Sequence, residues 1–246
     1  MTSREMMIFQ LKKLKGKPYK EIIEYILSYY WIPIVIGVVS AVLLISIIVT
    51  HVTRKEPALT VCCINSAADQ EASKAYGEQF AKDAGIDLSE NEIRIITNLN
   101  IMDPDAIASY QSAQTLLAMI ASESLDVIVS DQATILKCAY ADYCADLSQL
   151  LTEEQLERYQ QFLLYMDREY LSQVQNAQVL DGYELAFPDP TKQDKMGQPI
   201  PVALILPADS EFVKLFFPHI REDTAFSVAV NAQNLPLVLR LLEYVQ

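Results

Sequence analysis

Histidine is nearly missing from this chain: His51 and His219 are the only two in 246 residues. A histidine-dependent catalytic triad would have to use His219, which follows Phe216-Phe217-Pro218 and reads as a packed or surface residue. The four cysteines include no C-x-x-C pair, so with histidine this scarce no metal centre is expected. The G-x-S-x-G, P-loop and H-E-x-x-H motifs are also absent. The chain is therefore not read as an enzyme, no catalytic residue is assigned and no cofactor is expected. Repeats and low-complexity linkers are lacking too.

Basic residues are short in most of the chain. Residues 51–246 carry thirteen basic and twenty-nine acidic side chains, a net −16, while residues 1–31 carry six basic and three acidic, a net +3; together they make the −13 of the whole chain. An acidic surface of this kind excludes nucleic acid, whose phosphates need Lys and Arg. It also disfavours close contact with anionic lipid heads. Its simplest consequence is solubility.

What is present, between those two regions, is a run without any charge. Residues 32–50 read IPIVIGVVSAVLLISIIVT. Nineteen residues at 1.5 Å each make a helix of roughly 28 Å, close to the hydrocarbon thickness of a bilayer. Arg4, Lys12, Lys13, Lys15, Lys17 and Lys20 precede it, and only Arg54 and Lys55 follow closely. The lysine excess predicts a cytoplasmic N-terminus and an extracellular C-terminal part on a single-pass cell-membrane protein. Tyr25, Tyr29, Tyr30 and Trp31 suit the headgroup layer. Pro18 can open the helix, and Pro33 inside it predicts a kink or restart. A cleaved signal peptide fits less well, because the apolar run is longer than about 7–15 residues and no A-x-A site follows. The expected organisation is a basic stub over residues 1–24, a transmembrane signal-anchor helix over 25–52, and an extracellular domain over 57–246.

The outer part begins with three strand–helix alternations. Strands are expected over residues 58–64, 92–97 and 125–129. Helices are expected over 69–84, over a segment ending near Ser122, and over 132–140. In the second helix Ile107, Tyr110, Ala113, Leu117 and Ile120 recur at helical spacing. This order predicts an α/β fold with a mostly parallel sheet and crossover helices. Cys62 and Cys63 are adjacent on the first strand, so one is expected in the core and the other facing out. Cys138 and Cys144 are near enough in sequence to close a small loop, and an extracellular location permits a bond without requiring it. Thr152 and Gln155 form an S/T-x-x-E/Q capping box that should open a helix through about Met166. Residues 174–180 and 183–187 look like a hairpin about Asp181-Gly182. A strand over 201–206, a short helix over 210–217, a strand over 225–230 and a closing helix with Leu235, Val238, Leu239 and Leu242 complete the pattern. Asp103-Pro104-Asp105 is read as a helix-capping pair rather than a calcium site.

Several segments carry a resemblance. Leu125, Asp126, Val127 and Asp131, then Asp146, Leu147, Ser148, Leu150 and Leu151, resemble the "gelDvvi-d … DLs-lL" stretch of extracellular solute-binding proteins. The end, VNAQNLPLVLRLLEYV, is similar to that family's closing helix. The stub LKKLKGKPYKEIIEYILSYYW looks like that of membrane-anchored proteins of Gram-positive bacteria with such ectodomains. The resemblance implies a type II periplasmic-binding-protein-like fold with a ligand at the strand C-termini. In this sequence the second lobe should be small or absent, because residues 166–200 leave little room for it. The implied ligand-binding positions are Asn65 and Ser66 after the first strand, Asn98 after the second, Asp131 and Gln132 after the third, and Tyr110 as an aromatic wall. Open α/β sheets do collect ligands there. Each residue also has an ordinary structural role open to it: Asp131 as a helix N-cap, Asn65 and Ser66 in a turn, Tyr110 in the core.

The leading expectation is thus a membrane-anchored extracellular binding protein that captures a small solute or partner. The alternative is an interaction subunit of a membrane complex with a vestigial cleft, for which Gly37-x-x-Ser40-Ala41 offers a helix-packing face. A third reading, a surface hydrolase, would need two buried carboxylates facing each other in a pocket.

Overall fold

The computed structural model describes residues 18–53, 55–101, 107–176 and 187–246. The basic stub before Pro18, the Asp103-Pro104-Asp105 pair and the Asp181-Gly182 turn lie outside the described residues. The chain divides into two compact units, Met1–Arg54 and Lys55–Gln246.

In the first unit, Pro18 is followed by one helix, α1, spanning Tyr19–Thr53 and running through Pro33. Its apolar side chains are exposed on every side, from Ile32, Val35 and Ile36 to Leu43, Leu44 and Ile47. Among the described residues no helix is long and apolar enough to cross a membrane.

The second unit is built on a six-stranded sheet. Its elements are β1 (Glu56–Cys63), α2 (Gln70–Ala84), β2 (Asn91–Ile96), α3 (Ile107–Ala121), β3 (Val127–Asp131), α4 (Gln132–Tyr140), α5 (Glu153–Tyr159), β4 (Leu163–Asp167), α6 (Arg168–Asn176), β5 (Pro199–Ile205), α7 (Glu211–Phe216), β6 (Thr224–Val228) and α8 (Leu235–Val245). The strand order is β2-β1-β3-β6-β5-β4. β1 pairs in parallel with β2 and β3, but β3–β6, β6–β5 and β5–β4 are antiparallel. The fold is α/β, yet the expected mostly parallel sheet holds only for its first half.

The second half departs from expectation for a local reason. Leu163 sits at helical spacing from Leu156 and Tyr159, which suggested a helix to Met166. α5 instead stops at Tyr159, a 3-10 turn follows, and β4 begins at Leu163 with all five residues buried. A strand buried on both faces carries no alternation, so periodicity cannot separate it from a helix. The next residues form α6, which occupies 174–176, where the first hairpin strand was expected.

Helices cover both faces, giving two main cores. One face packs Phe80 of α2, Phe212 and Phe216 of α7 and Leu242 of α8 against Val61, Val129 and Phe226. The other packs Leu116 and Ile120 of α3 and Ile135 of α4 against Ile64, Ile128 and Ala203. Cys62 and Cys63 do point to opposite faces, but both are fully buried, one in each core. The expectation that one faces out fails because both sides of β1 are covered from Leu59 to Cys63. In β5 the register slips: Leu164 pairs with Ala203 but Tyr165 with Pro201, leaving Val202 extra. Pro201, with no N–H to give the ladder, sits at that bulge.

α3 shows its unexpected face to the sheet. Ser109, Ser112, Leu116 and Ile120 are buried, whereas Ile107 is 77% exposed, Tyr110 67% and Leu117 43%. The small hydroxyl residues let the helix approach closely, and Ser112 Oγ accepts a hydrogen bond from the Asn100 N–H at 3.1 Å. Tyr110 is thus neither core nor part of the sheet's strand-end crevice wall by burial; it faces outward.

Candidate functional site

β1 is the switch point of the sheet, since the chain leaves it toward β2 through α2 and returns past it to β3 through α3. The crevice at the C-terminal ends of β1 and β3 is the place where such sheets bind ligands. Asn65 lies in the turn after β1 there, in the left-handed region at φ 62°. Asparagine tolerates that conformation because its short amide bonds locally. Its N–H donates to the Leu99 carbonyl at 2.9 Å, and its Oδ1 accepts from the Ile101 N–H at 2.8 Å. Its Nδ2 donates to Asp131 Oδ2 at 2.9 Å and reaches Thr134 Oγ1 at 3.3 Å. One side chain therefore ties β1, the loop after β2 and the start of α4 together.

Asp131 is the N-cap of α4, accepting from the Thr134 N–H at 2.8 Å. Ser130 Oγ lies 3.0 Å from both the Ile64 carbonyl and Asp131 Oδ2, sharing its single proton. Burial pushes the Asp131 carboxyl up, but the hydrogen bonds from Thr134, Asn65 and Ser130 outweigh it and hold the group below its ordinary value. Asp131 is thus a carboxylate whose lone pairs are already engaged.

The other positions are used differently. The Gln132 N–H, a donor otherwise unsatisfied at a helix start, donates to the Asp223 carbonyl at 2.9 Å. Ser66 Oγ donates to the Phe216 carbonyl at 2.9 Å and accepts from the Ala68 N–H at 3.2 Å, closing the end of α7. Asn98 and Tyr110 are exposed. The structure brings Asn65, Asp131 and, through the backbone, Gln132 together, and leaves Asn98 and Tyr110 outside that network. Sequence reasoning missed Ser130 and Thr134; Thr134 was detectable as the third residue after an N-cap Asp.

Among the described residues two carboxylates are buried, Asp126 and Asp167. Asp126 Oδ2 accepts from the Thr60 N–H at 2.8 Å and Oδ1 from the Gln233 N–H at 2.9 Å. Asp167 accepts from the N–H groups of Glu169, Gly197 and Gln198, each at 3.0 Å. They precede β3 and end β4, with β6 and β5 between those strands, so they do not face each other. Both are backbone fasteners. His219 is exposed. All four cysteines are free thiols, and burial raises Cys62 and Cys144 to about 12, far from the range of a nucleophile at neutral pH. Among the described residues no cluster of three or more His, Cys, Asp or Glu could hold a metal.

Open clefts lie elsewhere. One of about 590 Å³ is lined by Arg158, Tyr159, Phe162, Ile205, Pro207 and Glu243. Another of about 610 Å³ runs along α8 past Asp83, Leu239, Arg240 and Tyr244. Neither includes Asn65, Ser66, Asn98, Tyr110, Asp131 or Gln132. No family model, curated protein or solved structure matches the chain.

Proposed function

We propose that this protein is a membrane-anchored interaction module: α1 holds it in a bilayer through residues 32–50, and the acidic unit beyond it engages a protein partner outside the cell. The anchor reading rests on the uncharged nineteen-residue run within α1 and on the exposure of its apolar side chains on all sides, a pattern that only lipid or a partner helix covers. The cytoplasmic side for the N-terminus follows from the lysine excess before the run.

One observation favours a partner over a small solute at the strand ends. The Asn65 amide and the Asp131 carboxylate satisfy each other and their neighbours, which leaves a solute in that crevice little to bind. In keeping with this, β4 and β5 join the same sheet as β1–β3, so among the described residues there is no second lobe to close on a ligand. The face offered to a partner is α3, whose fifteen residues include no charged side chain and which exposes Ile107, Tyr110 and Leu117. The test is purification of the full chain from its membrane in a mild detergent, with its mass read by light scattering. Stoichiometric co-purification of a partner, lost in Leu117→Glu, supports the reading; a lone monomer overturns it.

A further inference from the structure

The cleft beyond the end of β5 is independent of the strand-end crevice and of the partner face. We infer that it is a binding site for a small organic monocarboxylate with an apolar, preferably aromatic, body. Its volume of about 590 Å³ lies within the range of small-ligand sites, roughly 300–1,000 Å³. Its walls set the apolar Phe162, Ile205 and Pro207 and the Tyr159 ring beside the polar Arg158, Glu243 and Gln246, so that an apolar body and one polar end can both be met.

The apolar part comes from three places. Ile205 ends β5 and Pro207 follows it. Tyr159 ends α5 and is buried, while Phe162, three residues on, keeps 37% of its surface exposed. Leu163, the residue after Phe162, is buried in the core, so the backbone around the exposed ring is anchored. A ligand ring set against Phe162, Ile205 and Pro207 would remove that surface from water.

The charge that selects the ligand is Arg158. Its guanidinium carbon stands 5.6 Å from the centroid of the Tyr159 ring, which orients the planar fork without consuming its donors. Lys74–Glu78, Arg94–Glu92, Lys192–Asp189 and Arg240–Asp83 form ion pairs, and Arg158 belongs to none of these. A guanidinium fork matches a carboxylate with two parallel hydrogen bonds. Glu243 lines the same cleft and opposes a second negative charge, so monocarboxylates are preferred over dicarboxylates.

The test uses the full chain in lipid nanodiscs and N-acetyl-phenylalanine as probe, with N-acetyl-phenylalaninamide as its uncharged twin, read by ligand-observed saturation-transfer NMR and titration calorimetry. We expect saturable binding of the acid, at least tenfold weaker binding of the amide, and at least a tenfold loss of acid affinity in Arg158→Gln. Phe162→Ser should weaken both probes and leave the ratio between them unchanged. Arg158 and Phe162 are exposed, so both variants should keep the wild-type circular dichroism and melting temperature. Absence of saturable binding overturns the inference. So does equal binding of acid and amide, or full affinity in Arg158→Gln. Any of these results leaves the membrane and partner reading untouched, since that reading stands on α1 and α3.

Discussion

Asn65 Nδ2 and Asp131 Oδ2 meet at 2.9 Å across 66 residues of sequence. The contact joins the ends of the two parallel strands between which an open α/β sheet would bind a ligand. Because the same asparagine also binds the Ile101 N–H, the crevice is bridged rather than lined. Removing the amide should therefore cost stability. Asn65→Gly keeps the φ 62° backbone comfortable and deletes only the bonds, so we expect a loss of about 1–2 kcal/mol in urea unfolding. Asn65→Ala adds backbone strain at positive φ and should lose more. Equal stability of all three proteins would mean that the bridge contributes nothing.

The pH dependence has a definite sign. Asp131 and Asp167 are each pushed up by burial but pulled below the ordinary carboxylate value by hydrogen bonds, from Thr134 and Asn65 in one case and from Gln198, Gly197 and Glu169 in the other. A carboxyl depressed in the folded state stabilises the fold above its unfolded value, about 3.9, and loses that contribution as pH falls through the folded value. Stability should thus be flat near neutrality and fall on acidification below about pH 4. Asp131→Asn should start lower and show a shallower acid slope, which melting curves between pH 7 and 3 will read.

Asp126 fastens three segments by accepting from Thr60 and Gln233 while itself leading into β3. Asp126→Ala strands the buried Thr60 N–H, a loss worth about 1–3 kcal/mol, and frees the part-buried Gln233 N–H, which water can reach. We expect destabilisation of about 2–4 kcal/mol, with hydrogen exchange rising first at the Asn234 end of α8. Asp126→Asn, which keeps one acceptor, should lose less.

Thiol chemistry should report burial. Cys62, Cys63 and Cys138 are buried and their thiols raised by it. At pH 8 these three thiols of the native protein should react with a thiol reagent only at the slow rate of unfolding. In urea all four cysteines should react at once. Rapid native labelling of Cys62 or Cys63 would contradict the two-sided cover of β1.

The exposed face of α3 separates structure from function. Leu117→Glu and Tyr110→Glu alter exposed positions, so each should change stability by no more than about 0.5 kcal/mol. If α3 is the partner face, each should still reduce partner recovery from detergent extracts at least tenfold. A stability loss above 2 kcal/mol would instead place these side chains in a packed environment.

The features legible in the sequence were those written within a few residues of one another. The uncharged run, the three strand–helix alternations, the Thr152–Gln155 capping box and the Asp131 cap each depend on local spacing: a helix start needs its acceptor two or three residues away. The tertiary structure decided what depends on distant partners. It set β4, β5 and β6 antiparallel, buried both Cys62 and Cys63, turned Ser109 and Ser112 inward in place of Tyr110, and joined Asn65 to Asp131. The reason is physical: periodicity tells that a face is apolar or that a cap exists, but strand direction, the buried side of a weakly amphipathic helix and the partner of a polar side chain are chosen by what packs against them.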